Sequence, residues 1–144
     1  MKKAERALHL FSEGYICTQA VLSTYAEQFG LDYETSLKLA TAFGGGLARR
    51  AEVCGVITGS LMVIGLMHGN TDVEDTAAKE KTYLLAQELM KRFEQKFGAL
   101  KCRSLLNEDI SNLEGLERAR EEKLFETLCP EYIRYTIQLL EEIL

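Results

Sequence analysis

Four cysteines are the residues in this sequence best suited to chemistry: Cys17, Cys54, Cys102 and Cys129. No two of them form a Cys-x-x-Cys pair, so the local signatures of zinc ribbons and thioredoxin-like sites are missing. Any shared role therefore requires the fold to bring distant thiols together. Structural disulfides are disfavoured in the cytoplasm, where we expect this protein to be, so redox, catalytic or metal-binding roles gain weight.

Two kinds of chemistry suit four cysteines. Thiol redox chemistry needs an attacking thiolate and a partner sulfur within reach, and four cysteines supply two such pairs. Binding of zinc or an iron–sulfur cluster needs several thiolates at one centre, and four is a standard number. Because free cysteine is often an ordinary core residue, a third interpretation is a non-catalytic helical interaction module. The sequence leaves all three open.

The predicted helix boundaries place each cysteine at or near a helix N-terminus. Cys17, Cys54 and Cys102 each follow a glycine-containing break, and Cys129 directly precedes Pro130 and is predicted to be the N-cap of the last helix. Unpaired amides and the positive end of the helix dipole stabilise a thiolate at such positions and lower its pKa. We therefore expect the four cysteines to converge on one site and act together.

Three consecutive glycines, Gly44, Gly45 and Gly46, precede Arg49 and Arg50. Glycine enters left-handed backbone conformations readily, and a glycine turn before a helix start is suited to holding an anion. The stretch is not a Walker A loop, because no Gly-Lys-Ser/Thr follows it. The five residues form a candidate anion site, and a tight turn with solvated arginines is the alternative.

The two arginines also bear on Cys54, which follows them in the sequence. A predicted helix start, nearby positive charge and small neighbours make Cys54 our choice for the most reactive thiol. The predicted helix after it carries Gly55 and Gly59 on one face. Glycines so placed indicate close approach by a neighbouring helix, or else room for a ligand or for other sulfurs.

The composition predicts an all-α fold. A chain of 144 residues with one proline, no tryptophan and abundant Leu, Ala, Glu and Lys favours a single helical domain over residues 1–144. Helical spacing of apolar residues predicts helices over 3–11, 16 or 17 to 29, 33–43, 52–67, 71 or 72 to 97, 102–106 and 130–144. Residues 107–117 are predicted to be a loop. The expected architecture is a compact bundle of six to eight helices around a buried central helix, 52–67.

Charge and hydrophobicity exclude some partners. A net charge of −5 is unlike the basic surfaces that bind nucleic acid. The longest apolar run, 53–67, is shorter than the ~20 residues that a bilayer-spanning helix needs, so we expect no membrane partner. Residues 1–11 lack the continuous apolar core of a secretory signal, so we expect a cytoplasmic protein. Its redox partner is not identified by the sequence, and a homo-oligomer remains open.

Residues 54–59 read Cys-Gly-Val-Ile-Thr-Gly, residues 14–21 and 97–106 each contain a further cysteine, and Cys129 precedes Pro130. These four segments resemble the C_GCAxxG_C_C family, named for its four characteristic cysteines. Residues 54–59, Cys-Gly-Val-Ile-Thr-Gly, match its CGAxxG motif except that Val56 replaces alanine. Residues 14–21 resemble the first cysteine block, 97–106 the third and Cys129-Pro130 the fourth, so that the resemblance covers about 11–140. The resemblance implies a redox-active protein that acts through these cysteines. The two extra methyl groups of Val56 are expected to narrow the space beside Cys54.

Overall fold

Eight α-helices follow one another along residues 2–144, the part of the chain that the computed structural model describes. They are α1 (Lys3–Ser12), α2 (Cys17–Ala26), α3 (Tyr33–Ala40), α4 (Gly55–His68), α5 (Thr76–Phe97), α6 (Cys102–Leu106), α7 (Leu113–Glu121) and α8 (Leu124–Ile143). Short 3-10 turns follow α2 and α3. The prediction of an all-α bundle is confirmed. Among the described residues, no helix combines the length and apolar character needed to cross a bilayer.

Helix α4 lies at the centre of the bundle and packs against α2, α5 and α8. Its apolar residues Val56, Ile57, Val63 and Ile64 are fully buried, which confirms the predicted central helix. The helix begins at Gly55 and not at residue 52, because the preceding segment pairs with the segment before α6. An isolated antiparallel bridge joins Val53 to Lys101 there.

Gly55 and Gly59 allow α2 to approach α4 closely. A Cβ at Gly55 would overlap the Thr18 Oγ1 and lie 3.2 Å from the Cys17 Cβ. A Cβ at Gly59 would lie 3.1 Å from the Thr18 carbonyl oxygen and 3.2 Å from the Val21 Cβ. The expected close approach of a neighbouring helix is therefore present, and at Gly55 it also seats a second cysteine.

Two predicted boundaries are wrong because a polar side chain that the prediction did not use caps the start of each helix. Helix α5 begins at Thr76 and not at residue 71 or 72, since the Asp75 carboxylate accepts a hydrogen bond from the Ala78 amide. Residues 113–117 are helical and not a loop, because the Asn112 side chain caps α7 by accepting from the Gly115 amide at 2.7 Å. Such local side-chain caps decide where helices start.

The predicted start of the last helix is also wrong. Helix α8 begins at Leu124 and contains Pro130 in its interior, so Cys129 lies in the second turn and is not the N-cap. An interior proline removes one helical hydrogen bond and costs about 3 kcal/mol. The buried face of α8, which includes Ile133, Ile137 and Leu140, offsets that cost by packing into the core.

Candidate functional site

A cavity of about 1160 Å³ lies where α2, α4, α6 and α8 meet the segment between α3 and α4 that begins with Gly44, Gly45 and Gly46, here called the glycine loop. Its lining includes all four cysteines, Cys17, Cys54, Cys102 and Cys129. Cys54 belongs to the main core cluster, Cys102 and Cys129 belong to a second cluster, and Cys17 packs against both. The fold thus brings together four thiols that are far apart in the sequence.

Cys17 is the first residue of α2 and the only one of the four that is half-buried rather than buried. The start of α2 is fixed by Gln19, whose side-chain oxygen accepts from the Ile16 amide at 3.2 Å. The Gln19 amide group in turn donates to the Leu37 carbonyl oxygen and the Thr41 hydroxyl. These contacts tie the start of α2 to α3 and so position Cys17 at the cavity.

Cys54 and Cys102 are held side by side by backbone pairing. The Cys54 amide donates to the Leu100 carbonyl at 2.9 Å, and the Cys102 amide donates to the Glu52 carbonyl at 2.6 Å. The Val53–Lys101 bridge lies between these two bonds. As a result α4 and α6 start next to each other, with Cys54 as the N-cap of α4 and Cys102 as the first residue of α6.

Cys129 reaches the cavity from α8, and Tyr132, one turn further on, joins that helix to α6. The Tyr132 hydroxyl donates to the Leu105 carbonyl at 2.7 Å. The Tyr132 ring packs edge-on against Phe97 and Phe93, with centroids 4.8 and 6.0 Å away. Sequence reasoning missed Tyr132, although its spacing of three residues from Cys129 places both on one face of a helix.

Cys17 lies near each of the other three cysteines. The neighbouring Cys129 side chain is the first cause of a raised Cys17 pKa, followed by burial. Burial is also the first cause of the raised pKa of Cys54, and of the rise in the pKa of Cys102 to about 12. In both cases negative charge on Cys17 would raise the pKa further, which places Cys17 near both thiols.

These pKa directions are opposite to the lowering expected from helix starts. The Val56 and Ile57 amides at the start of α4 do lower the pKa of Cys54, but burial outweighs them. Arg49 and Arg50 are exposed, whereas the Cys54 side chain is 5% exposed. Burial therefore disfavours a Cys54 thiolate, and Cys17 is the least buried of the four cysteines.

The glycine loop is a left-handed turn. Five consecutive residues, 45–49, have φ between 51° and 72°, a region that non-glycine residues occupy only at a cost of about 1–2 kcal/mol each. The backbone of Gly46 packs closely against Cys102, since a Cβ at Gly46 would lie 2.8 Å from the Cys102 Cβ. Arg103 secures the end of the loop by donating from its guanidinium to the Ala51 and Arg50 carbonyls.

This geometry changes the candidate anion site. The amides of residues 47–52 all donate to carbonyls of residues 42–47, so they are not directed at a ligand. The central helix starts at Gly55, so its N-terminus does not follow directly from the glycines. Gly44, Gly45, Gly46 and Arg49 do line the cysteine cavity, and Arg50 does not. Anion binding at these residues stays a prediction.

The chemistry of four thiols suits zinc or an iron–sulfur cluster. Within residues 2–144, however, no three Cys, His, Asp or Glu side chains are grouped as a metal site. The geometry thus gives the metal-binding hypothesis no support beyond the choice of residues.

Comparison with known proteins yields one match. A family model described as "Putative redox-active protein (C_GCAxxG_C_C)" matches residues 15–143, a range that contains all four cysteines. No curated protein and no solved structure matches the chain.

Proposed function

The chain belongs to the C_GCAxxG_C_C family, and we propose that it carries out thiol–disulfide exchange with Cys17 and Cys129 as its redox pair. The observation that carries this proposal is the proximity of these two thiols, which line one cavity with Cys54 and Cys102 and of which Cys129 is the first cause of the raised Cys17 pKa. Thiol–disulfide chemistry requires a second sulfur within reach of the first. The proposed setting is a reducing compartment such as the cytoplasm, where the thiols start reduced.

The reaction balances with an external disulfide as the oxidant. One protein thiolate attacks a sulfur of that disulfide, so that a mixed disulfide forms, the external S–S bond breaks and the first external thiol leaves. The second protein thiolate then attacks the protein sulfur of the mixed disulfide and displaces the second external thiol. Two electrons pass from the cysteines to the external disulfide, and the two protons end on the released thiols.

Access assigns an order to the two steps. Cys17 is half-buried and Cys129 is 6% exposed, so an incoming disulfide meets Cys17 first. Cys129 then closes the internal bond. Because the Cys17 pKa is raised, its thiolate is scarce at neutral pH, and the exchange is expected to accelerate as the pH rises. Cys54 and Cys102 provide a second, more deeply buried pair beside Cys17.

Counting free thiols tests the proposal. Reduced protein is treated with diamide, which oxidises dithiols, and free thiols are titrated before oxidation, after oxidation, and after dithiothreitol. The wild type should lose thiols in pairs and recover them. Cys17→Ser and Cys129→Ser should lose the first oxidation phase, whereas Cys54→Ser and Cys102→Ser, the matched controls, should retain it. An equal response of all four variants would contradict the assigned pair.

A metal or iron–sulfur protein is the alternative function, and it rests on the choice of four cysteines as ligands and not on their grouping in the structure. Its ligands would be Cys17, Cys54, Cys102 and Cys129. Metal content and visible absorbance of anaerobically purified protein separate the two functions. A coloured or zinc-loaded preparation would favour metal binding over thiol exchange. A colourless, metal-free preparation would support thiol exchange. Unreactive thiols in such a preparation would favour the interaction module.

A further inference from the structure

We propose that the cavity admits a low-molecular-weight disulfide that carries carboxylates, and that Arg49, Arg120 and Arg134 select for its negative charge. The inference rests on the thiol–disulfide exchange proposed above and names the class of oxidant that this site takes. Two independent observations carry it: the depth of the thiols and the charge of the cavity lining.

The depth of the thiols favours a small molecule over a protein. Cys54, Cys102 and Cys129 are 5%, 8% and 6% exposed. Cys17, which makes the first attack, is half-buried and lines the same cavity, so the disulfide must enter the cavity to contact its sulfur, and a small molecule enters more easily than a disulfide fixed on the surface of a folded protein. The cavity volume of about 1160 Å³ is slightly larger than the ~300–1,000 Å³ typical of small-molecule pockets, so a small organic disulfide fits inside.

The charge of the lining is opposite in sign to that of the chain. The chain carries a net charge of −5, but the charged residues that line the cavity are Arg49, Arg120, Arg134 and the single acidic residue Glu126. All four are exposed, which places their charges at the rim. A rim with an excess of two positive charges attracts anions, and the effect weakens as salt is added.

The three rim arginines have no carboxylate partner among the described residues. Arg92, Arg103 and Arg118 each form an ion pair with a glutamate, whereas Arg49, Arg120 and Arg134 form none. A guanidinium without an ion-pair partner can donate two parallel hydrogen bonds to a carboxylate, which is the favoured geometry for this pair of groups. Behind the rim the walls include the apolar side chains of Phe11, Leu106 and Phe125. The site thus suits a molecule with charged ends and a sulfur-containing centre.

Three small symmetrical disulfides of similar length test the charge preference. They are 3,3′-dithiodipropionate, which is anionic, bis(2-hydroxyethyl) disulfide, which is neutral, and cystamine, which is cationic. The rate of thiol loss from reduced wild-type protein is measured with each at low and high ionic strength. Each rate is divided by the rate of the same disulfide with free dithiothreitol, because the three leaving thiols differ in pKa and a thiol of lower pKa leaves faster. After this correction we expect the anionic disulfide to react at least about tenfold faster than cystamine at low salt, with a smaller difference at high salt. Equal corrected rates would overturn the inference.

Variants assign the preference to the arginines. The triple variant Arg49→Gln, Arg120→Gln and Arg134→Gln should lose the preference for the anionic disulfide while its rate with the neutral one changes little. Lys91→Gln, which removes an exposed positive charge outside the cavity lining, is the matched control and should keep the preference. A preference that survives in the triple variant would overturn the inference.

Failure of this inference is distinguishable from failure of the proposed function. Oxidation by diamide without any charge preference overturns the choice of an anionic disulfide and leaves thiol exchange in place. Absence of reversible thiol loss with diamide and with all three disulfides overturns the proposed function, and the inference with it.

Discussion

Cys17 and Cys129 are neighbouring thiols, contributed by the first residue of α2 and the second turn of α8. Their interaction favours the protonated form of Cys17, so the accessible thiol is held unreactive until its proton is lost. A disulfide between them would require the two sulfurs to approach to about 2.05 Å. The proposed exchange therefore depends on loss of the Cys17 proton and on the approach of the Cys129 sulfur.

Removing Cys129 is expected to make Cys17 react at lower pH. Its interaction with Cys17 is the first cause of the raised Cys17 pKa, so Cys129→Ala should lower that pKa and increase the thiolate fraction at neutral pH. The measurement is the alkylation rate of Cys17 by iodoacetamide between about pH 7 and 11, resolved by peptide mass spectrometry. Cys54→Ala is the control, since Cys54 is not among the causes of the Cys17 shift. Identical pH midpoints in wild type and Cys129→Ala would count against the interaction.

Stability is expected to fall under alkaline conditions because of the buried thiols. Unfolded cysteine ionises near pH ~8.5, whereas the folded-state pKa of Cys102 is raised to about 12. The stabilisation that the protonated Cys102 thiol contributes to the fold is therefore fully present below pH ~8.5 and is lost as the pH rises towards 12. The free energy of unfolding falls by at most about 1.4 kcal/mol per pH unit for this thiol.

Urea unfolding under reducing conditions at several pH values between 8 and 11 measures this loss. Cys102→Ala removes one titrating thiol, so its unfolding free energy should decline less steeply with pH than that of the wild type. The comparison between the two proteins cancels the lysines and tyrosines that they share. Parallel slopes would show that the Cys102 pKa is not raised in the fold.

Much of the helical framework could be predicted because it depends on local patterns. The bounds of α6, 102–106, agree with the prediction, and the central helix differs by three residues at its start, where Val53 pairs with Lys101, and by one at its end. That pairing joins segments far apart in the sequence, so no local pattern signals it. The predicted start of α8 is wrong because it relies on the preference of proline for the first turn of a helix. That preference does not exclude an interior position when the packing of the buried face offsets the cost of the proline.

The membership of the site was easier to predict than its chemistry. Cysteine positions and the motif at residues 54–59 indicated the four thiols that line the cavity. The pKa directions could not be predicted, because the helix-start effect is local whereas burial depends on the packing of α2, α4, α6 and α8. The unpaired rim arginines Arg120 and Arg134 were missed for the same reason, since only the fold places them beside the cavity.

Gly46→Ala is expected to destabilise the protein and disturb Cys102. The residue has φ of +72°, and a Cβ would lie 2.6 Å from the Glu52 amide nitrogen and 2.8 Å from the Cys102 Cβ. Gly98→Ala is the matched control, because Gly98 has φ of +82° but nothing lies within 4 Å of its added Cβ. Both variants incur about 1–2 kcal/mol of backbone strain, and Gly46→Ala should lose a further ~1–3 kcal/mol through overpacking. Equal thermal stability of the two would contradict the tight packing at Gly46.

Gly55→Ala should separate α2 from α4 and shift Cys17. Its Cβ would overlap the Thr18 Oγ1 and approach the Cys17 Cβ to 3.2 Å, so we expect a loss of about 1–3 kcal/mol and slower closure of the Cys17–Cys129 bond. Gly65→Ala in the same helix meets no atom within 4 Å and should raise stability by up to about 1 kcal/mol. Opposite signs are the expected result in chemical denaturation, and similar effects of the two substitutions would contradict the account of this helix interface.

Disulfide mapping under controlled redox conditions tests the central claim most directly. Native protein is equilibrated in dithiothreitol buffers of graded oxidised fraction, acidified to block exchange, alkylated with N-ethylmaleimide in denaturant, digested and examined by mass spectrometry. The account predicts a linked peptide pair containing Cys17 and Cys129, whose abundance rises and falls reversibly with the oxidised fraction and precedes any Cys54–Cys102 link. A Cys54–Cys102 bond that forms first, or the absence of any intramolecular disulfide across the whole range, would contradict it.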